Sequence, residues 1–91
     1  MLVSIDEMKQ YLRIDHEDDD SLIEYLIAVS EKLCMDIARI EDKIEFESID
    51  DAKIAVMFAV AYQYEHRENL NQNDLNLALR ALLFGERKAG F

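Results

Sequence analysis

Three groups of residues have types that could do chemistry: the acidic run Asp15-His16-Glu17-Asp18-Asp19-Asp20, the histidines His16 and His66, and the single cysteine Cys34. Closely spaced carboxylates raise the question of a cation site. A calcium loop beginning at Asp15 needs glycine sixth and glutamate twelfth, but those positions hold Asp20 and Leu26. Beginning at Asp18 puts Ile23 sixth and fails as well. The run is therefore read as a solvated segment that caps a helix and complements its dipole, binding no divalent ion specifically. Neither histidine belongs to a His-Glu-x-x-His pair, and one cysteine cannot complete a zinc set. His66, within Tyr64-Glu65-His66-Arg67, reads as a helix-end residue rather than a general base. Cys34 shares a helix face with Ser30 and Ile37 and has no histidine near it in sequence, which suits a small buried residue. The only glycines, Gly85 and Gly90, follow residue 84, so no phosphate loop or nucleophile elbow exists. We expect no catalytic, metal or cofactor-binding residue, no cofactor, and no enzyme.

What remains is a scaffold, and its elements are well marked. The absence of proline and of glycine through the body argues against an all-β chain. Periodicity predicts an all-α fold, a small bundle of about four helices in one domain over 1–91. The first helix runs from about Ile5 to Leu12, with Ile5, Met8 and Leu12 on one face. The second runs from about Ser21 to Ala38, with Leu22, Ile23, Leu26, Ile27, Val29, Leu33 and Ile37 forming an apolar stripe and Glu24, Glu31, Lys32 and Asp36 away from it. The third, about Asp51 to Glu68, contains the nine-residue apolar run Ile54 to Tyr62 and is expected to be largely buried at the middle of the fold. The fourth, about Asp74 to Phe84, has Leu75, Ala78, Leu79, Leu82 and Leu83 at helical offsets, with Gly85 as its stop. Between the second and third helices, Ile44-Glu45-Phe46-Glu47 alternates in polarity and reads as an extended segment or a small edge strand. Three of the four serines open capping-box patterns: Ser4-x-x-Glu7, Ser21-x-x-Glu24 and the weaker Ser48-x-x-Asp51.

Composition narrows the function classes further. Ten basic residues face 20 acids, a net charge of −10. Residues 1–50 carry 15 acids and 5 bases, whereas residues 51–91 carry 5 of each. Such a chain repels phosphates at long range, and no helix has a basic reading face, so sequence-specific nucleic-acid binding is not expected. The nine-residue apolar run falls well below the roughly 20 residues of a spanning helix. The first residues carry acids where a signal peptide needs bases, and one cysteine builds no disulfide framework. No membrane association is expected, and the chain is placed in a reducing compartment.

Read in order, the segments resemble the phage head–tail connector (adaptor) family, often labelled DNA-packaging proteins of tailed phages and prophages. The pattern Lys-x-Tyr-Leu-Arg-Ile-Asp appears as Lys9-Gln10-Tyr11-Leu12-Arg13-Ile14-Asp15. An acidic loop then enters a long helix through Asp19-Asp20-Ser21-Leu22-Ile23, continued by Leu26, Ile27, Ser30 and Leu33. The Ala-rich helix closes with Tyr64-Glu65-His66-Arg67-Glu68, and Leu82-Leu83-Phe84-Gly85-Glu86-Arg87 matches a late Leu-Leu-x-x-x-Arg signature. One departure is the missing proline before the third helix.

The resemblance implies a structural subunit that forms a homo-oligomeric ring under the capsid portal and joins it to a tail-side connector or completion protein. The ring is part of a conduit through which DNA passes without specific binding. The place implied is the virion head–tail junction, reached after assembly in the host bacterial cytoplasm. Tyr11, Leu12, Leu22 and Leu26 are expected in the core. Tyr64 and Arg67 suit an intramolecular anchor or an intersubunit contact, the anchor being preferred. Leu82, Leu83, Phe84, Arg87 and Phe91 are the interface candidates, being apolar or basic groups late in a small domain. The competing reading is an acidic DNA mimic that inhibits a nucleic-acid-binding enzyme. Against it, the acids cluster in one half instead of following a phosphate-like spacing.

Overall fold

A computed structural model describes residues 2–49, 51–66 and 69–84. These residues are all helical or irregular, with no strand among them. Five helices follow in order: α1 Ile5–Leu12, α2 Asp20–Ala38, α3 Lys43–Glu47, α4 Ala52–Glu65 and α5 Gln72–Phe84. The bundle expected from periodicity is thus present, with one short helix added.

Helix α1 begins as its sequence dictates. Ser4 has extended backbone, its Oγ accepts from the Glu7 amide at 3.1 Å, and the Glu7 carboxylate accepts from the Ser4 amide at 3.1 Å. Both orphan donors are satisfied reciprocally. The other two serine boxes do not form. Asp19 is the N-cap of α2, which leaves Ser21 inside the helix. Ser48 closes α3, donating its hydroxyl to the Glu45 carbonyl at 2.6 Å, and Asp51 precedes α4.

The segment read as extended or strand-like is helix α3. The Asp42 carboxylate accepts from the Ile44 amide at 3.0 Å and starts the turn. In a strand, Ile44 and Phe46 would face one side; in a helix, residues two apart point away from each other. Phe46 is fully buried while Ile44 is 79% exposed, so only one side chain of the pair enters the core.

The buried side chains form one cluster, drawn from Val3 and Met8, from Ile23, Leu26, Ile27, Cys34 and Ala38 of α2, from Phe46, from five residues of α4, and from Leu75, Leu79 and Leu83 of α5. The broadest contact is between α2 and α4, and α4 also touches α1, α3 and α5. Its buried face is Ala52, Ala55, Val56, Ala59, Val60 and Ala61, small residues that let neighbouring helices approach closely. Helix α4 is therefore central, as its apolar run suggests, but not closed on every side. Ile54 is 56% exposed, and Met57, Phe58 and Tyr62 are half-buried. Two polar groups tie the centre together: the Gln63 amide donates to Ser30 Oγ at 2.7 Å and to the Ala59 carbonyl at 3.0 Å.

Helices α1 and α2 both end on arginine in the left-handed region, Arg13 at φ 61° and Arg39 at φ 60°. Each arginine amide donates back into the last helical turn, as a C-cap should. Glycine would take these angles freely, and the bundle holds arginine there at a backbone cost of about 1 kcal/mol.

Candidate functional site

Several of the residues with chemical potential are held in structural contacts. The acidic run is tied at its end by Lys9, whose Nζ lies 2.8 Å from Asp20 Oδ1, an interaction that raises the Lys9 pKa. At its start, the Asp18 amide donates to His16 Nδ1 at 3.3 Å. Among the described residues, no three acid, histidine or cysteine side chains converge as a metal would require. The His66 ring stacks on Tyr62 at 4.4 Å between centroids, with Nδ1 3.0 Å from the Tyr62 carbonyl. Cys34 is fully buried, and its thiol is pushed up to about 12, first by burial and then by the nearby Glu31 charge. A thiol held neutral there is a poor nucleophile.

The carboxylate with the most structural weight is one that periodicity placed outside the stripe. Glu31 is buried; its Oε2 accepts from the Leu2 amide at 3.0 Å, and its Oε1 lies 3.4 Å from Lys43 Nζ. It fastens the segment before α1 and the start of α3 to the middle of α2. A signal was available, since Glu31 stands four residues after Ile27 and three before Cys34, on the buried face itself.

The candidate anchor Tyr64 donates its hydroxyl to Asp19 Oδ2 at 2.5 Å, linking the end of α4 to the start of α2. Arg67, its suggested companion, lies outside the described residues, as do Arg87 and Phe91. Among the interface candidates, Leu83 is 1% exposed and packs inside the core, so it has no surface to offer in the folded subunit. Leu82 packs partly against the core, and Phe84 ends α5. Leu26 is buried, and Leu12 and Leu22 are half-buried against the core, but Tyr11 is 53% exposed. The α1 stripe of Ile5, Met8 and Leu12 already fills the contact with α2 and α4. Tyr11 is left to line a shallow groove with Glu7, Gln10 and Met57.

The most developed open surface runs along the outside of α2. One groove, of about 650 Å³, is lined by Ala28, Glu31, Lys32, Met35 and Asp36 of α2, by Ile40 and Glu41 of the α2–α3 link, and by Lys43 at the start of α3. A second, about 390 Å³, is lined by Tyr25, Ala28, Val29, Lys32, Leu33 and Asp36. The shared Ala28, Lys32 and Asp36 make them one strip, apolar toward Tyr25 and acidic toward Glu41.

No curated protein and no solved structure matches the chain significantly. A family model described as phage gp6-like head–tail connector protein matches residues 2–82, and so spans all of α1 to α4 and most of α5. With its ordered motifs carried on an all-helical bundle, the chain belongs to the phage gp6-like head–tail connector family, a family of structural proteins.

Proposed function

We propose that the protein is the ring subunit that joins the capsid portal to the tail, forming part of the conduit for DNA at the head–tail junction. The observation carrying this reading is the family match over residues 2–82, combined with a bundle whose chemically capable residues serve as caps, ties and core. The net charge of −10 is compatible with a wall along which DNA slides, since few counterion-releasing contacts can form. Residues 1–91 act as one helical unit, assembled in the bacterial cytoplasm and retained in the virion. The partners are the portal on one side, a tail-side connector or completion protein on the other, and further copies around the ring. In this subunit Tyr64 serves as an internal anchor. Leu82, Phe84, Arg87 and Phe91 belong to the contact segment, from which buried Leu83 is withdrawn.

The test is genetic and morphological. Phage produced without this chain should yield heads and tails that remain unjoined in electron micrographs, and supplying it in trans should restore joined particles. Normal joining in its absence would overturn the reading. Co-purification with portal protein is expected; co-purification with a nuclease instead would favour the DNA-mimic alternative.

A further inference from the structure

We propose that the strip along the outside of α2 is the receptor for segment 85–91 of a second copy of this chain. The inference rests on the ring reading above and names the contact that would link neighbours. Segment 85–91 lies beyond the residues matched by the family model, with Arg87 closing the late Leu-Leu-x-x-x-Arg pattern.

The chemistry of the two halves matches. The strip's wider part presents Glu31, Asp36 and Glu41 against Lys32 and Lys43. Glu31 is engaged by Lys43 and Asp36 by Lys32, whereas Glu41 has no ion-pair partner among the described residues. Its narrower part is apolar, with Tyr25 65% exposed beside Val29 and Leu33. The segment reads Gly85-Glu86-Arg87-Lys88-Ala89-Gly90-Phe91, two adjacent cations followed by an aromatic residue. Arginine at the acidic part and phenylalanine at the apolar part would each meet a complementary surface.

The spacing matches as well. Any chain of four residues reaches at most about 14 Å, which bounds the distance from residue 87 to residue 91. Along α2, the distance back from Asp36 is about 10 Å to Val29 and about 16 Å to Tyr25, at a helical rise of about 1.5 Å per residue. A basic anchor near Asp36 and Glu41 therefore leaves Phe91 within reach of the apolar part. On a chain of charge −10, copies repel, and a local basic segment on an acidic groove is one way to overcome that. Because groove and segment are different patches, the contact is heterologous and can repeat from subunit to subunit until it closes.

The experiment uses full-length protein with Ala28→Cys, which lines both grooves, and Ala89→Cys in the segment. Cys34 does not compete, being buried with its thiol pushed up to about 12. Under mild oxidation, the two single variants mixed should give a disulfide heterodimer and nothing longer. The double variant should give a ladder of dimers, trimers and larger chains. Arg87→Glu with Lys88→Glu should cut the cross-linked yield about tenfold, and Phe91→Ser should also reduce it. An intramolecular disulfide in the double variant would overturn the proposal by placing the segment on its own chain. Efficient dimers from Ala28→Cys alone would overturn it in favour of a symmetric contact. No cross-link, or a yield indifferent to the segment's charge, would overturn it outright. The particle test above scores the connector role independently. Joining that requires the protein while no ladder forms refutes only this contact. A ladder with joining that does not need the protein refutes only the connector role.

Discussion

The two sides of α2 are built from one helix under opposite constraints. On the inner side, Ile23, Ile27, Ser30, Cys34 and Ala38 are buried against α4 and α5, and even the polar member is bonded to Gln63. On the outer side, Tyr25, Ala28, Lys32 and Asp36 face an open strip, with an ion pair between Lys32 and Asp36 of 3.7 Å that is exposed on both partners. Such a pair contributes at most about 1 kcal/mol. The inner side determines whether the subunit folds; the outer side can change with little effect on the fold and remains free for a partner. The difference teaches where assembly variants should be sought in a small subunit: on surfaces whose removal leaves the melting curve alone.

The comparison breaks most visibly at Phe46, the largest of the fully buried side chains. Phe46→Ala is expected to lower stability by about 3–5 kcal/mol in denaturant melts. Phe58, only half-buried, should lose clearly less on the same substitution, since the scale of about 3–5 kcal/mol applies to a fully buried site. A next rank belongs to Glu31, where Glu31→Ala strands the Leu2 amide and Lys43 at a cost of about 2 kcal/mol, measurable in the same way.

Capping supplies a smaller and sharper contrast. Ser4→Ala should lower stability by about 1 kcal/mol, while Ser21→Ala should stay within about 0.5 kcal/mol because Ser21 caps nothing. On the outer side, Tyr25→Ala and Lys32→Ala are also expected within about 0.5 kcal/mol; a loss above 2 kcal/mol for either would erase the distinction between the two faces.

Two titrations sharpen the contrast without changing the fold. The Lys53 ammonium and the Ser4 amide beside Glu7 hold its carboxyl below the ordinary range. The stabilisation from Glu7 is therefore present above its unfolded pKa of 4.5 and is lost as pH falls through the lower folded value. In Lys53→Met, carbon-detected NMR should show the Glu7 pKa moving up. Cys34 has the opposite sign in proton binding. Its folded thiol stays protonated between pH 9 and about 12 while the unfolded thiol ionises, so stability declines with rising pH across that window. Alkylation of Cys34 should be slow in native protein and fast in urea.

Much of the bundle was legible because helix formation is local. Ile5, Met8 and Leu12, or Leu75, Leu79 and Leu82, announce a helix through neighbours three and four residues away, and the ends of α1 agree with that reading. The Ser4 box was legible for the same reason, since its donors and acceptors lie within four residues. The ordered motifs of the connector family were equally a property of the chain read in line.

Other features depended on contacts far along the chain. Whether Ser21 or Asp19 starts α2 is set by how the acidic loop is held, and Asp19 is bound by Tyr64 from 45 residues away. Glu31 could be buried only because the Leu2 amide and Lys43 arrive to meet it, from 29 residues back and from the next helix. The alternation of Ile44 and Phe46 is equally compatible with a strand or a helix until α4 offers a place for one side chain and not two. Tyr11 is expected in the core as part of the Tyr11-Leu12-Arg13-Ile14 motif, yet the neighbouring stripe already fills the available contact and leaves it exposed. The sequence by itself therefore determined the four longer helices, their apolar stripes, the charge imbalance and the family. Tertiary structure alone decided which caps are used, which charges are buried and which apolar groups remain outside, because burial and pairing depend on the residues that another helix brings to the same place.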